Sequence, residues 1–424
     1  MNLRIGPPGT ASGRDRTDPW PAPPAEPPHR GASGRRHDLD WLRAAAVLGV
    51  FVFHAAHPFD LFDWHVKNQQ RSFALTLLLG FFGAWGMGLL FLLAGGASWL
   101  ALRSRTSGQY LVERCRRLAV PFLAGSVVLS PVQAFIQAVH ERRWTGSFLA
   151  FVPSYWRGLA GPGSSFERAV TPAWFGAFGY HLWFLGFLFA FSAVGLPLFR
   201  YLEGGRGRRI VGRVALWGGR PGGALLFAVP VVCAQVGLRA VAPAEHDWAD
   251  FAAYLAFFVA GYVLFADQRL TVAVRRDGPV AFAVGVAAFA VLVATDFPAW
   301  FERWAAHPAY SMEYVLMTSL FSVNAWSWTI VAVSLGMRSR RFRTPLPRSI
   351  GELALPFYVL HQPVILALAF FVVQAHAGIP AKLTLVLAGS FFATAGLCLV
   401  LVRARVLRRV LGAKPPATTA SGKG

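Results

Sequence analysis

With three cysteines in 424 residues, the chain cannot build a disulfide framework, and no Cys/His spacing in it resembles a metal site. Charge is equally scarce. Asp, Glu, Lys and Arg together make up 14% of the residues, against 55% hydrophobic. A soluble domain carries about 25% charge, so this is not a soluble-domain balance. Acidic residues are the scarcest charged class, with 20 Asp and Glu against 41 Lys and Arg, for a net charge of +21. There is no Walker A loop, no GxSxG elbow and no HExxH pair, which removes P-loop, serine-hydrolase and zincin chemistry. No internal repeat is evident.

What the chain does have is apolar length. Runs of about 20 residues recur, each long enough to cross a hydrocarbon core of about 30 Å as a helix. They are continuous rather than alternating, so helices and not a barrel are implied. The expected fold is all-α and polytopic, with ten spans near 41–58, 73–101, 118–139, 181–199, 222–242, 250–266, 279–297, 312–336, 352–374 and 383–403. The basic surplus could suggest nucleic acid, but its distribution excludes that partner. Linkers 103–117, 200–220, 267–276 and 338–348 hold 19 Lys or Arg, while the alternate linkers hold eight. That asymmetry follows the positive-inside rule and places both termini in the cytoplasm. Residues 1–37, rich in Pro and Arg, and residues 411–424 read as disordered tails around a membrane domain over 38–410. The longest external linker, 141–180, carries Trp144, Tyr155, Trp156, Trp174 and Tyr180, which read either as interfacial anchors or as surfaces for sugar rings.

Ionisable groups at membrane depth are expensive and so mark candidate sites. In "LRAAAVLGVFVFH" (42–54), Arg43 and His54 are eleven residues apart. At 100° per residue they share one helix face, about 16 Å apart along the axis. Arg43 lies near the cytoplasmic mouth and reads either as an anchor paired with Asp40 or as the holder of an anion. His54 lies deep and can take a proton from a hydroxyl. An extended ligand with an anionic head and a reactive tail fits the pair. Arg114 and Arg117, at i and i+3, share a face at the cytoplasmic start of span three and could clamp the same head. In "GELALPFYVLHQPVIL" (351–366), Pro356 and Pro363 bracket a second deep histidine, His361. Glu352 precedes it by nine residues, nominally on the opposite face. His181 and Trp183 open span four on the external side, and Asn324 is a deep amide in span eight. His57 and His65 fall just outside span one and read as solvated.

These residues resemble the acyltransferase 3 family. "LDWLRAAAVLGVFVFHAAHPF" (39–59) is similar to its opening helix, where an arginine and a histidine flank ten residues, as Arg43 and His54 do here. Arg114 and Arg117 match its R-x-x-R pair. "DWHVKN" (63–68), "HLWFL" (181–185), "NAW" (324–326) and "LPFYVLHQPVI" (355–365) resemble a subgroup that succinylates periplasmic glucans. The ordered match spans about 38–405. The H-x4-D motif of soluble glycerolipid acyltransferases is absent, since Asp60 stands six positions after His54 where that motif needs five.

The resemblance implies transfer of an acyl group, acetyl or succinyl, from cytoplasmic acyl-CoA to a hydroxyl of a carbohydrate or glycan, by a multi-pass protein of the bacterial inner membrane. Acyl-CoA would be a co-substrate, with no permanently bound cofactor or metal. On that expectation Arg43, Arg114 and Arg117 hold the donor phosphates and His54 is the general base. His361 positions the acceptor or stabilises the oxyanion, and Glu352 orients a histidine or touches the donor. His181, Trp183 and Asn324 shape the acceptor side. Deep histidines and prolines suit a transporter or flippase for an anionic or glycolipid substrate as well. Acyl-coupled export is a hybrid of the two. A scaffold without chemistry leaves the Arg43–His54 register unexplained.

Overall fold

The computed structural model describes residues 36–160, 171–339 and 341–413. Of the expected tails, only residues 36–37 and 411–413 fall among them. In order, the helices are α1 (His37–Ala56), α2 (Phe73–Leu102), α3 (Ser107–Arg114), α4 (Val120–His140), α5 (Phe148–Ala160), α6 (Ala173–Gly179), α7 (Trp183–Glu203) and α8 (Gly205–Gly218). There follow α9 (Ala228–Leu238), α10 (Trp248–Ala266), α11 (Gln268–Ala294), α12 (Phe297–Ala306), α13 (Met312–Arg338), α14 (Arg348–Val372), α15 (Ile379–Leu401) and α16 (Arg405–Val410). No strand occurs among the described residues. Several helices start at polar caps. Ser72 accepts from the Leu75 amide and Ser311 from that of Tyr314, and Thr106 and Gln109 form a reciprocal capping box.

Nine helical segments among the described residues are long and apolar enough to cross a bilayer. The expected fifth span, 222–242, forms a shorter apolar piece, Gly223–Leu238, whose first turn is 3-10 before α9 begins. Two spans are composites longer than their apolar runs. Ser107–His140 joins α3 to α4 through a π-helical turn at Cys115–Ala119, and Ala173–Glu203 joins α6 to α7 through a 3-10 turn at Tyr180–Leu182.

Large side chains cover the outside. On α15, Leu385, Phe392, Leu399 and Val400 are all exposed, an arrangement unfavourable in water and natural in lipid. Inside, small residues let backbones meet. A Cβ added at Gly95 would stand 1.9 Å from the Phe258 carbonyl oxygen, and one at Gly261 would stand 2.0 Å from that of Leu92. Helices α2 and α10 therefore touch through their main chains, as small-residue membrane interfaces do. Gly261→Val is expected to lower stability by about 1–3 kcal/mol or more. A thermal scan of the detergent-solubilised variant would show this as an earlier midpoint. An unchanged midpoint would show that the two backbones separate freely.

For function, the central element is α1, packed among α2, α13, α14 and α15. The connection from α1 to α2 does not run out into solvent. The Asn68 amide donates to the Pro58 carbonyl at 2.8 Å and the Ser72 amide to that of Phe59 at 2.7 Å, which folds residues 57–72 back over the end of α1.

Candidate active site: a histidine tier and an arginine tier

Three histidines from three helical segments converge. Nδ1 of His54 lies 2.9 Å from Nε2 of His361, although 307 positions separate them in sequence. The rings of His181 and His361 are 5.2 Å apart and meet edge to face. His361 and His181 are buried, whereas His54 is only partly so.

The hydrogen bonds fix the tautomers. Nδ1 of His361 lies 2.6 Å from the Tyr358 carbonyl oxygen. A carbonyl only accepts, so this Nδ1 carries the proton. In the neutral ring Nε2 of His361 is then the acceptor, and Nδ1 of His54 donates to it. Nε2 of His54 is left as a bare lone pair on the accessible member of the group. Both nitrogens of His361 are thereby engaged, which leaves it no donor for an oxyanion. Its geometry is that of a positioning residue for His54.

The prolines of α14 account for the third histidine. Pro363 has no N–H to offer the carbonyl four residues back, that of Val359. Nε2 of His181 takes up this orphan at 3.1 Å, and the Tyr358 hydroxyl in turn donates to the His181 carbonyl. The backbone bond missing from the otherwise continuous α14 thus docks it against the turn before α7.

The folded-back segment adds residues that the sequence reading had placed in solvent. His57 is buried, with Nδ1 at 2.7 Å from Asp60 Oδ2, and Lys67 Nζ lies 2.5 Å from Asp60 Oδ1. His65 donates from Nδ1 to Gln137 Oε1 at 2.6 Å. Burial lowers the His65 pKa below the usual imidazole range, so it is neutral at pH 7. Trp64 lies nearly parallel to both His54 and His57, with interplanar angles of 13° and 18°. This segment caps the histidine tier. The signal in the sequence was the density of polar and aromatic residues in "DWHVKN" (63–68), too rich for a simple linker.

About 16 Å down α1 from His54 lies the arginine tier. Arg43 pairs with Asp40 at 3.4 Å, the anchor reading of the sequence. Arg114 donates to Ser98 Oγ at 3.0 Å and lies over the Tyr110 ring. Arg117 sits in the π-helical turn, 3.9 Å from Glu113, and its Nε is buried without a hydrogen-bond partner among the described residues. The π turn departs from the α-helical register assumed for Arg114 and Arg117, yet Arg114, Arg43 and Arg105 are all electrostatic neighbours of Arg117. Such turns recur at functional sites. An excess of guanidinium with one orphaned donor suits a phosphate ligand.

The remaining expected site residues fall elsewhere. Glu352 stands about 13 Å along α14 from His361 and makes no hydrogen bond or ion pair among the described residues. Only its donor-side reading is compatible with that position. Trp183 packs against His246 at 4.1 Å, Phe187 and Tyr254, not against the three histidines. Asn324 accepts from Trp328 at 3.1 Å, and Trp328 packs on Phe81 and Phe282, placing the amide in the α2–α11–α13 core. The sequence placed Trp183 at the external start of span four and Asn324 deep in span eight, but carried no information on which neighbours they would meet. No set of three or more His, Cys, Asp or Glu side chains among the described residues is arranged to hold a metal ion.

A polytopic helical bundle with clustered histidines at depth, and arginines from α1, α3 and the π-helical turn about 16 Å away, is an arrangement suited to a membrane-embedded group transferase. The family profile described as an acyltransferase domain matches residues 36–403, and the chain belongs to that family. It is similar to the glucans biosynthesis protein C of Salmonella paratyphi B, 23% identical over 406 residues, covering 90% of this chain and 96% of that one. A shorter match, 26% identical over 170 residues and 40% of each chain, is to the protein of the same name from Salmonella heidelberg. No solved structure matches the chain.

Proposed function

We propose that this membrane acyltransferase moves an acetyl or succinyl group from cytoplasmic acyl-CoA to a hydroxyl of a glycan, in the inner membrane of a bacterium. The observation that carries the reading is the hydrogen-bond chain from Tyr358 through His361 to His54, which leaves Nε2 of His54 basic about 16 Å from Arg43 on the same helix face. The name of the relatives supports a glycan as acceptor.

In the proposed reaction the arginine tier holds the phosphates of the donor and the thioester reaches up toward His54. Nε2 of His54 takes the proton of the acceptor hydroxyl as its oxygen attacks the thioester carbonyl. The tetrahedral adduct collapses with cleavage of the C–S bond, and the imidazolium returns the proton to the departing sulfur. The products are an ester and free CoA thiol. His361 accepts the Nδ1–H of His54 throughout, which holds the ring and spreads the transient positive charge. With the short apolar piece Gly223–Leu238 taken as a tenth crossing, both termini and the arginine tier face the cytoplasm, in keeping with the basic linkers.

The test is thiol release by the purified protein in lipid nanodiscs, with acetyl-CoA and succinyl-CoA supplied separately. Release with one of them, faster when a glucose oligosaccharide is added, is the expected result and identifies the donor. If folded protein releases no thiol from either donor, with or without oligosaccharide, the acyl-CoA reading is wrong and a transport assay becomes the next step.

A further inference from the structure

A cavity of about 350 Å³ lies outside the histidine tier, between α4, the α5 helix of the external segment and α6. Gln137, Phe151, Ser154, Tyr155 and Tyr180 line it, with Arg143 at the rim. We propose that this cavity binds one or two pyranose rings of the acceptor glycan and presents the hydroxyl that is acylated. The proposal rests on the acyltransferase reading above and adds the place and chemistry of acceptor recognition.

Its lining favours a neutral polyol. Arg143 is neutralised, since its guanidinium pairs with Glu141 through both Nε and a terminal nitrogen. What remains is an amide, a serine hydroxyl, two phenols and the Phe151 ring. Hydroxyl and amide groups match the rim of a sugar, and an aromatic ring matches its C–H face. The Tyr155 hydroxyl is enclosed, with the Ser130 hydroxyl as a polar neighbour, and keeps hydrogen-bonding capacity for a ligand. Burial raises its pKa, which keeps the phenol protonated. The size is at the lower end for small-ligand pockets, enough for a short saccharide but not for a folded partner.

The cavity is also wired to the catalytic tier. Tyr180 lines it, while the next residue, His181, bonds the Val359 carbonyl beside His361. Tyr180 holds φ 50° and ψ −130°, a left-handed conformation that costs a non-glycine residue energy. That backbone turn is what aims consecutive side chains into two different sites. Gln137 lines the cavity and accepts from His65, whose ring is 5.3 Å from Tyr180 and whose neighbour Trp64 lies over His54. The two Trp side chains of the external segment nearest the bundle, Trp156 and Trp174, pack instead on Phe178 and take no part.

The experiment uses the full chain in nanodiscs, with α- and β-linked glucose oligosaccharides as probes. Tyr155→Phe removes one hydroxyl and keeps the ring. It is expected to raise the acceptor KM about fivefold, as the loss of one neutral hydrogen bond implies, with the acyl-CoA KM unmoved. Leu149→Ala, on the outer face of α5, serves as the control and is expected to match the wild type. A wild-type acceptor KM in Tyr155→Phe overturns the cavity assignment while thiol release still stands for the acyltransferase reading. If no turnover is seen at all, oligosaccharide binding measured by calorimetry decides alone. Binding that weakens in Tyr155→Phe supports the site, and equal binding, or none to the wild type, overturns it.

Discussion

His54→Ala is expected to lower acyl transfer about 10²- to 10⁴-fold, the range that a positioned general base contributes. Membrane insertion should be unaffected, because the substitution leaves the span apolar. The loss should fall on kcat, since the arginine tier that holds the donor is about 16 Å away. Exogenous imidazole should restore part of the rate, an effect that a purely structural histidine would not show. His361→Ala should also lower kcat, but through a freed His54 ring, and imidazole should rescue it less. Full activity in His54→Ala would end the assignment of the base. Equal imidazole rescue in the two variants would end the distinction between base and positioning residue.

The second large effect is expected at the other end of the site. Arg117→Gln removes a guanidinium whose Nε is buried without a partner among the described residues. A hydrogen bond to a charged group contributes about 1.5–3 kcal/mol. The acyl-CoA KM should therefore rise about 10- to 100-fold, with a smaller change in kcat. The diagnostic comparison is with acyl-pantetheine, which lacks the nucleotide and its phosphates. The wild type should use it poorly, and Arg117→Gln should use it as well as the wild type does. A variant that loses activity equally toward both donors would show that Arg117 stabilises the π-helical turn rather than binding phosphate. Arg114 is a less clean target, because it also ties α3 to α2 through Ser98.

The sequence made this end-to-end design half visible. Arg43 and His54 lie on one continuous helix, so their common face followed from 100° per residue alone, and α1 indeed runs unbroken from His37 to Ala56. The helical class and most spans followed equally well, because a bilayer leaves an apolar run few other options. The His54–His361 hydrogen bond was beyond such reasoning. Two deep histidines in spans one and nine were evident, but nothing in local periodicity reports which helices become neighbours. His57 and His65 were misread for a related reason. A connection beyond a span is solvated by default, and only the Asp60–Lys67 pair and the amide bonds to Pro58 and Phe59 show that this one turns inward. For Trp183 and Asn324 the neighbours were likewise not legible. Trp183 gives its ring faces to His246, Phe187 and Tyr254, and Asn324 gives its Oδ1 to Trp328 while its Nδ2 is buried without a partner among the described residues.

Pro363 was legible as a helix breaker, yet its consequence was not. The helix runs on through it, and what the proline leaves is a carbonyl without its helical partner, which captures His181.

One helix carries both ends of the proposed donor site, and this makes α1 a gauge. A spacer formed by a single α-helix has a length set by residue count, about 1.5 Å for each, and it neither stretches nor folds when other helices shift. Donor choice then becomes a matter of linear fit. A carrier whose thioester lies closer to its phosphates than the distance from Arg43 to His54 leaves its carbonyl short of the base, however firmly its head is held.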